Sequence, residues 1–154
     1  MTITHYARAL VYAGTLPFFA LMLSALGWLP NPLFAEFDTL SWGMAYAAVI
    51  LSFITGIHWM LALDGKKLTQ TQAKWLLLNS NLIALWAWLM WGLQDYALSW
   101  FGMALGFIWL LWLEVRVVKL PSLWPWFWTL RWQATTVATI SLVVTGLTEL
   151  GSVG

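Results

Sequence analysis

Cysteine is absent and charge is scarce: Asp, Glu, Lys and Arg make up 8% of the 154 residues. Without cysteine there are no disulfides, no thiolate metal sites and no thiol redox chemistry, whatever the compartment. A soluble domain covers itself with roughly 25% charged residues. This chain, 62% hydrophobic, has nothing comparable to offer water. A net charge of +1 gives no field that would attract nucleic acid, and no Lys/Arg cluster is present to track phosphates. Also missing are nucleophile-elbow glycines, internal repeats, low-complexity tracts and any linker to a soluble domain. The sequence reads as one membrane domain over residues 1–154.

What the chain does have is long apolar runs, 14 tryptophans among them. Five are close to the roughly 20 residues needed to cross a hydrocarbon core: about 9–29, 40–63, 75–93, 97–118 and 133–150. In lipid the backbone must satisfy its own hydrogen bonds, which makes these helices. The expected fold is therefore an all-α integral membrane protein with five transmembrane helices. The first run exceeds the about 7–15 apolar residues of a signal peptide and shows no small-x-small site before Pro30 and Pro32, so it reads as a retained helix. Pro17 should bend it.

Orientation follows from the basic residues. Arg8 precedes the first run; Lys66, Lys67 and Lys74 lie between the second and third; Arg116, Lys119 and Arg131 surround the link between the fourth and fifth. The other loops carry Glu36, Asp38 and Asp95, with Glu149 near the C-terminal end. All seven positive charges fall on one side, which places the N-terminus inside and the C-terminus outside.

The link KLPSLWPWFWTLRW, Lys119 to Trp132, holds four Trp, one Phe and two Pro. It reads as a re-entrant or surface-lying segment: an interfacial anchor, or an aromatic gate over a lipid or quinone entrance. Small residues suggest how helices approach. Ser41, Ala45, Ala48, Ser52 and Gly56 share one face; Gly102 and Gly106 form a small-xxx-small pair; Thr135, Thr139, Leu142 and Gly146 repeat the idea. Packing within one bundle explains them more simply than a dimer face.

His58 stands in SFITGIHWMLAL, six residues before Asp64, hence about 9 Å inside the boundary. Glu114 precedes Lys119 by five residues, about 7–8 Å by the same rise. Asn79, Asn81, Arg131, Gln133 and Tyr12 reach the same level, so every helix brings a polar group to one layer of the cytoplasmic leaflet. A charge within the bilayer normally faces a partner in the bundle. Arg116 and Lys119 are at i+2 and i+5 from Glu114, whereas helical neighbours meet at i+3 and i+4. A partner from another helix, His58 or Arg131, is required unless Glu114 is protonated or reaches the interface. His58 lies about 100° round from the small-residue face of its helix, where it would flank a crevice. One His and one carboxylate fall short of the three protein ligands of catalytic zinc, so no metal site is expected.

At this point a resemblance emerges. YAGTLPFFALML, YAAVILSFITGIHWMLAL and TLRWQATTVATISLVV resemble a bacterial family of small membrane proteins, domain of unknown function 3429. Animal transmembrane protein 69, of mitochondria, is similar to that family. Its most specific part here is Gly56 to Trp59. Thr55 and Met60 stand where the family usually has glycine, and Asn79-Ser80 where it has Pro-Ser. The resemblance implies a multi-pass protein of the bacterial inner membrane and supplies no activity.

Two kinds of function fit. The first is a non-enzymatic binding or accessory protein of the energy-transducing membrane. It would hold a quinone or lipid at a layer formed by His58, Trp59, Asn81, Glu114, Arg131 and Gln133, with membrane lipids and a larger complex or a second copy as partners. The second is a small proton-coupled transporter or membrane enzyme using His58 and Glu114. A transporter needs polar groups through both leaflets; they concentrate in one, which favours the binder.

Overall fold

The computed structural model describes residues 3–29, 38–64 and 68–152. Among them every regular element is helical: α1 (Ile3–Ala25), α2 (Thr39–Leu63), α3 (Gln70–Gly92), α4 (Ala97–Leu113), a π-helical turn (Glu114–Val118), the short α5 (Leu120–Leu123) and α6 (Pro125–Ser152). Glu36, Lys66, Lys67, Pro30 and Pro32, used above for topology and processing, lie outside the described residues.

Local chemistry sets the ends. α1 continues through Pro17 and stops earlier than its apolar run. Gly27 takes φ +69°, and the N–H groups of Gly27 and Trp28 donate back to the carbonyls of Ser24 (2.9 Å) and Leu23 (2.9 Å). Such a left-handed glycine ends a helix because a residue with a β-carbon resists it. Asp38 caps α2, accepting from the amides of Leu40 (3.2 Å) and Ser41 (3.3 Å). α3 begins five residues before its apolar run, at a capping box: Thr69 N–H donates to Gln72 Oε1 (2.9 Å), and Gln72 N–H donates to Thr69 Oγ1 (3.3 Å). α6 begins eight residues earlier than expected, so half of the aromatic link is regular helix and only Lys119–Trp124 separates it from the π turn.

The long helices form an up-and-down bundle. Ser41 Oγ donates to Gln94 Oε1 where α2 begins and α3 ends (3.1 Å). The Tyr46 hydroxyl donates to the Gly14 carbonyl between α2 and α1 (2.8 Å). Around the bundle α1 neighbours α6 and α2, and α3 lies between α2 and α4. α4, half buried over its apolar window against 17% for α1, is the central helix. The main core takes Phe18, Leu21, Met44, Leu51, Ile83, Trp100, Met103, Phe107 and Leu142 from all five long helices, while a smaller cluster of Ala62, Leu76, Val118 and Leu120 closes one end. Four helices, α1, α2, α4 with its π turn, and α6, are long and apolar enough to cross a membrane; α3 is not among them. Large apolar side chains such as Leu10, Trp28, Phe53, Leu63 and Leu98 cover the outside.

The glycines of α4 are packing residues inside this bundle. The Trp86 indole N–H donates to the Gly102 carbonyl (2.7 Å). A β-carbon at Gly106 would stand 2.7 Å from Leu51 Cδ2 and 3.2 Å from Trp86, and one at Gly146 would stand 2.9 Å from Phe101. The small-residue face proposed for α2 is corrected. Its buried line is Met44, Ala47, Ala48, Leu51, Thr55, His58 and Ala62, whereas Gly56 is exposed with open space at its β-carbon. Of the expected face only Ala48 lies on this line, where Met44 and Leu51 pack beside Ala47, Thr55 and Ala62, and His58 lies on the line rather than beside it. Gly106→Val should therefore lower stability by about 1–3 kcal/mol through overpacking. Gly56→Ala should leave it unchanged or raise it by about 0.5–1 kcal/mol. Thermal unfolding of both variants in detergent checks the contrast.

Candidate functional site: a buried His–Glu–Arg cluster beside an apolar cavity

Glu114 is the junction between α4 and the π turn, whose wider winding is closed by Lys119 N–H donating to the Glu114 carbonyl. Lys119 is left-handed at φ 55°, a conformation that costs an L-residue roughly 1–2 kcal/mol. The helix ends there, and Pro121 in the first turn of α5 starts the chain on its way to α6. Val118 and Leu120, on either side of the turn, are buried against Leu76 and Ala62. Their burial holds the reversal in place.

The reversal brings Arg131 opposite Glu114. The Arg131 Nε–H approaches both carboxylate oxygens (3.2 and 3.1 Å), and Nη2 donates to Oε1 (3.1 Å). This charge-assisted fork is among the stronger polar contacts available to a protein. The third member comes from α2: His58 Nε2 lies 3.4 Å from Glu114 Oε1. The approach is close enough for electrostatic interaction, but its geometry makes no hydrogen bond. Both imidazole nitrogens are buried without a hydrogen-bond partner among the described residues. Relative exposures of 1% for His58, 4% for Glu114 and 6% for Arg131 put the whole cluster in the interior. Glu114 thus has partners on both helices that the sequence offered as sources, and Arg131 is a buried residue two turns into α6 rather than a loop charge at its start.

Beside the cluster lies a cavity of about 470 Å³, within the range of small-molecule sites. α1 lines it between Leu10 and Phe18, α2 between Ile50 and Leu61, and α6 between Trp126 and Ala138, with Trp124 just before α6. Its walls are almost wholly apolar; among the described residues, His58, Glu114 and Arg131 are its only ionisable lining residues. Of its lining residues, Phe18 and Phe107 meet edge to face (centroids 5.8 Å apart), and Phe18 meets Tyr46 in the same way (5.4 Å). Leu10, Phe53 and Met60, each about 70% exposed, stand between cavity and exterior on α1 and α2. Trp124, Trp126 and Phe127 from the aromatic link also line it, while Trp128 packs into the end cluster.

The remaining members of the expected polar layer do not join this wall. Trp59, next in sequence to His58, is rotated by about 100° and is 44% exposed. Asn81 is exposed on α3 and donates to the Leu77 carbonyl of its own helix (2.7 Å). Buried Asn79 likewise donates to Trp75 (2.8 Å). Gln133 accepts from the Tyr12 hydroxyl (3.1 Å), tying α6 to α1. Equal depth does not give equal rotation, and these residues point elsewhere. Sequence reasoning in turn passed over Thr135, which lines the cavity with its hydroxyl buried and unpartnered among the described residues. Its signal was present: it follows Arg131 by four residues, so the two share a helix face.

Over residues 3–147 the chain matches the model of a family described as Protein of unknown function (DUF3429). The chain belongs to this family. No curated protein and no solved structure matches it.

A buried ion pair broken on one side leaves a charge without its counterpart, at a typical cost of about 3–5 kcal/mol. Glu114→Leu and Arg131→Met should each destabilise the protein by that order, and the double variant by clearly less than their sum. Unfolding of the three variants in detergent measures the coupling; additive losses would count against the pair.

Proposed function

We propose that this family member is a five-span membrane protein that holds an amphipathic, lipid-soluble molecule in the cavity between α1 and α2. In this reading it acts as a binding or accessory protein of an energy-transducing inner membrane, and a lipid or a quinone is the guest. The observation that carries it is the cavity itself, an apolar chamber with one polar cluster in its wall. Sites for small organic molecules typically combine apolar walls with few polar groups that fix orientation.

α3 supports the fifth crossing. Its 23 residues span about 34 Å at the helical rise, and it packs between α2 and α4. Arg8, Lys74, Arg116 and Lys119 lie toward the ends of helices that share one end of the bundle, which favours that end as cytoplasmic. The cavity then occupies the cytoplasmic half. Its rim of Leu10, Phe53 and Met60 would meet acyl chains, so a guest would enter sideways from the leaflet. The rival, a proton-coupled transporter using His58 and Glu114, needs a path onward through the outer half. In this orientation the edge-to-face contacts of Phe18 with Tyr46 and Phe107 would lie toward the outer half, where apolar rings offer no polar path, and this favours the binder.

A bound guest adds stability by mass action, about 2.7 kcal/mol at a hundred times its dissociation constant. Melting in detergent should therefore rise when decyl-ubiquinone or a polar lipid extract is added to the wild type. The rise should vanish in Ala134→Phe, which fills the cavity from α6. In His58→Ala the response should shrink while the ligand-free protein melts close to wild type. An equal response in all three proteins, with His58→Ala less stable alone, would leave His58 as scaffolding. A reporter fused to the C-terminus should be active only outside the cytoplasm.

A further inference from the structure

The cavity wall also constrains the head of the guest, on the assumption that the cavity binds one as proposed above. Arg131 spends Nε and Nη2 on Glu114, and among the described residues no other cationic or anionic side chain lines the chamber. With the imidazole neutral, the wall carries no net charge. An anionic head could use the Arg131 donors not given to Glu114, but its charge would lie close to the carboxylate with no counter-ion of its own. A cationic head would meet the guanidinium. Either contact takes place away from water, where an unpaired charge is costly.

What the wall offers is hydrogen bonding. The Thr135 hydroxyl and both His58 ring nitrogens are buried without hydrogen-bond partners among the described residues, and both side chains line the cavity. His58 stands on α2 beside Glu114, and Thr135 on α6 one turn after Arg131. A neutral imidazole has one donor and one acceptor nitrogen. The nitrogen near a carboxylate keeps the proton, and here that is Nε2, 3.4 Å from Glu114 Oε1. Nδ1 is left as an acceptor, which only a donor can satisfy. Thr135 can donate or accept.

We infer that the His58–Thr135 wall selects an uncharged lipid whose head carries a hydroxyl, such as a fatty alcohol, an acylglycerol or a hydroquinone. The hydroxyl donates to His58 Nδ1 and accepts from Thr135 Oγ1, so one group satisfies two of the wall's three unpartnered atoms and leaves Nε2 facing Glu114. A head with only carbonyl or ether oxygens satisfies Thr135 and leaves Nδ1 unmet. The reduced form of a quinone-like guest is thereby preferred over the oxidised one, with no electron transfer implied. A phosphate or carboxylate head is excluded by charge.

The test uses probes with one tail and different heads: dodecan-1-ol, methyl dodecyl ether, dodecyl phosphate and dodecyltrimethylammonium. Apparent affinity is read from the melting-point rise of the full chain as the probe's micellar mole fraction increases, less the rise seen in Ala134→Phe. Dodecan-1-ol should bind about tenfold more tightly than the ether, the size of one net hydrogen bond, and both should bind more tightly than the charged probes. His58→Phe should bring dodecan-1-ol down to the ether's affinity and leave the ether unchanged. Thr135→Val should weaken both, and it keeps the test open if His58→Phe does not fold. Equal binding of alcohol and ether by the wild type, or preference for either charged probe, overturns the head assignment and leaves the cavity reading standing. If no probe shifts the wild type more than Ala134→Phe, the cavity reading falls, and the head assignment with it.

Discussion

The buried Glu114–Arg131 pair is the constraint around which this end of the bundle is organised. Neither charge can stay in an apolar interior alone, and the fork of Nε and Nη2 onto the carboxylate lets each accept the other. To make it, α4 must end where α6 begins, and the chain must reverse within the few residues between Glu114 and Pro125. The left-handed Lys119, the buried Val118 and Leu120, and the short α5 all serve that reversal. His58 then completes the cluster from α2 at the cost of two unsatisfied nitrogens. Beside a core of Leu, Ile, Ala, Met, Phe and Trp, that concentration of polarity is what gives the neighbouring cavity a chemical character.

Much of this was legible from residue spacing. Apolar run length gave helices, and counting back from Asp64 and Lys119 gave His58 and Glu114 a common depth. The lack of any i+3 or i+4 cation near Glu114 required a partner from another helix. Rotation was harder. Trp59, Asn81 and Gln133 share the depth but not the face, because neighbouring helices, not helical period alone, decide which direction is inward. The small residues of α2 misled for the same reason: Gly56 and Ser52 marked a stripe, while contact ran through Met44, Leu51 and Thr55.

Helix ends were legible only where polar chemistry was weighed beside hydropathy. Thr69 and Gln72 spell a capping box three residues apart, and Gly27 spells a stop. Both lie at the margins of apolar runs and carry no hydropathy signal. The cavity was not legible at all. Its walls come from α1, α2, α4 and α6, and even Gly14, whose carbonyl accepts from Tyr46, is one of its lining residues. The space left where these helices meet is set by the whole bundle.

The π turn has an evolutionary consequence. Its hydrogen bond spans one residue more than an α-turn, so Glu114–Val118 amounts to a single-residue insertion within an otherwise regular helix. Deleting one residue there would restore α-helical winding, with better local hydrogen bonding and without the wide turn. It would also turn everything downstream by about 100°, taking Val118 and Leu120 out of their cluster and Arg131 away from Glu114. The change that most improves the helix would thus dismantle the cluster. The irregular turn is tied to the residues it serves, and length variation among relatives should avoid this stretch while falling freely in exposed connections.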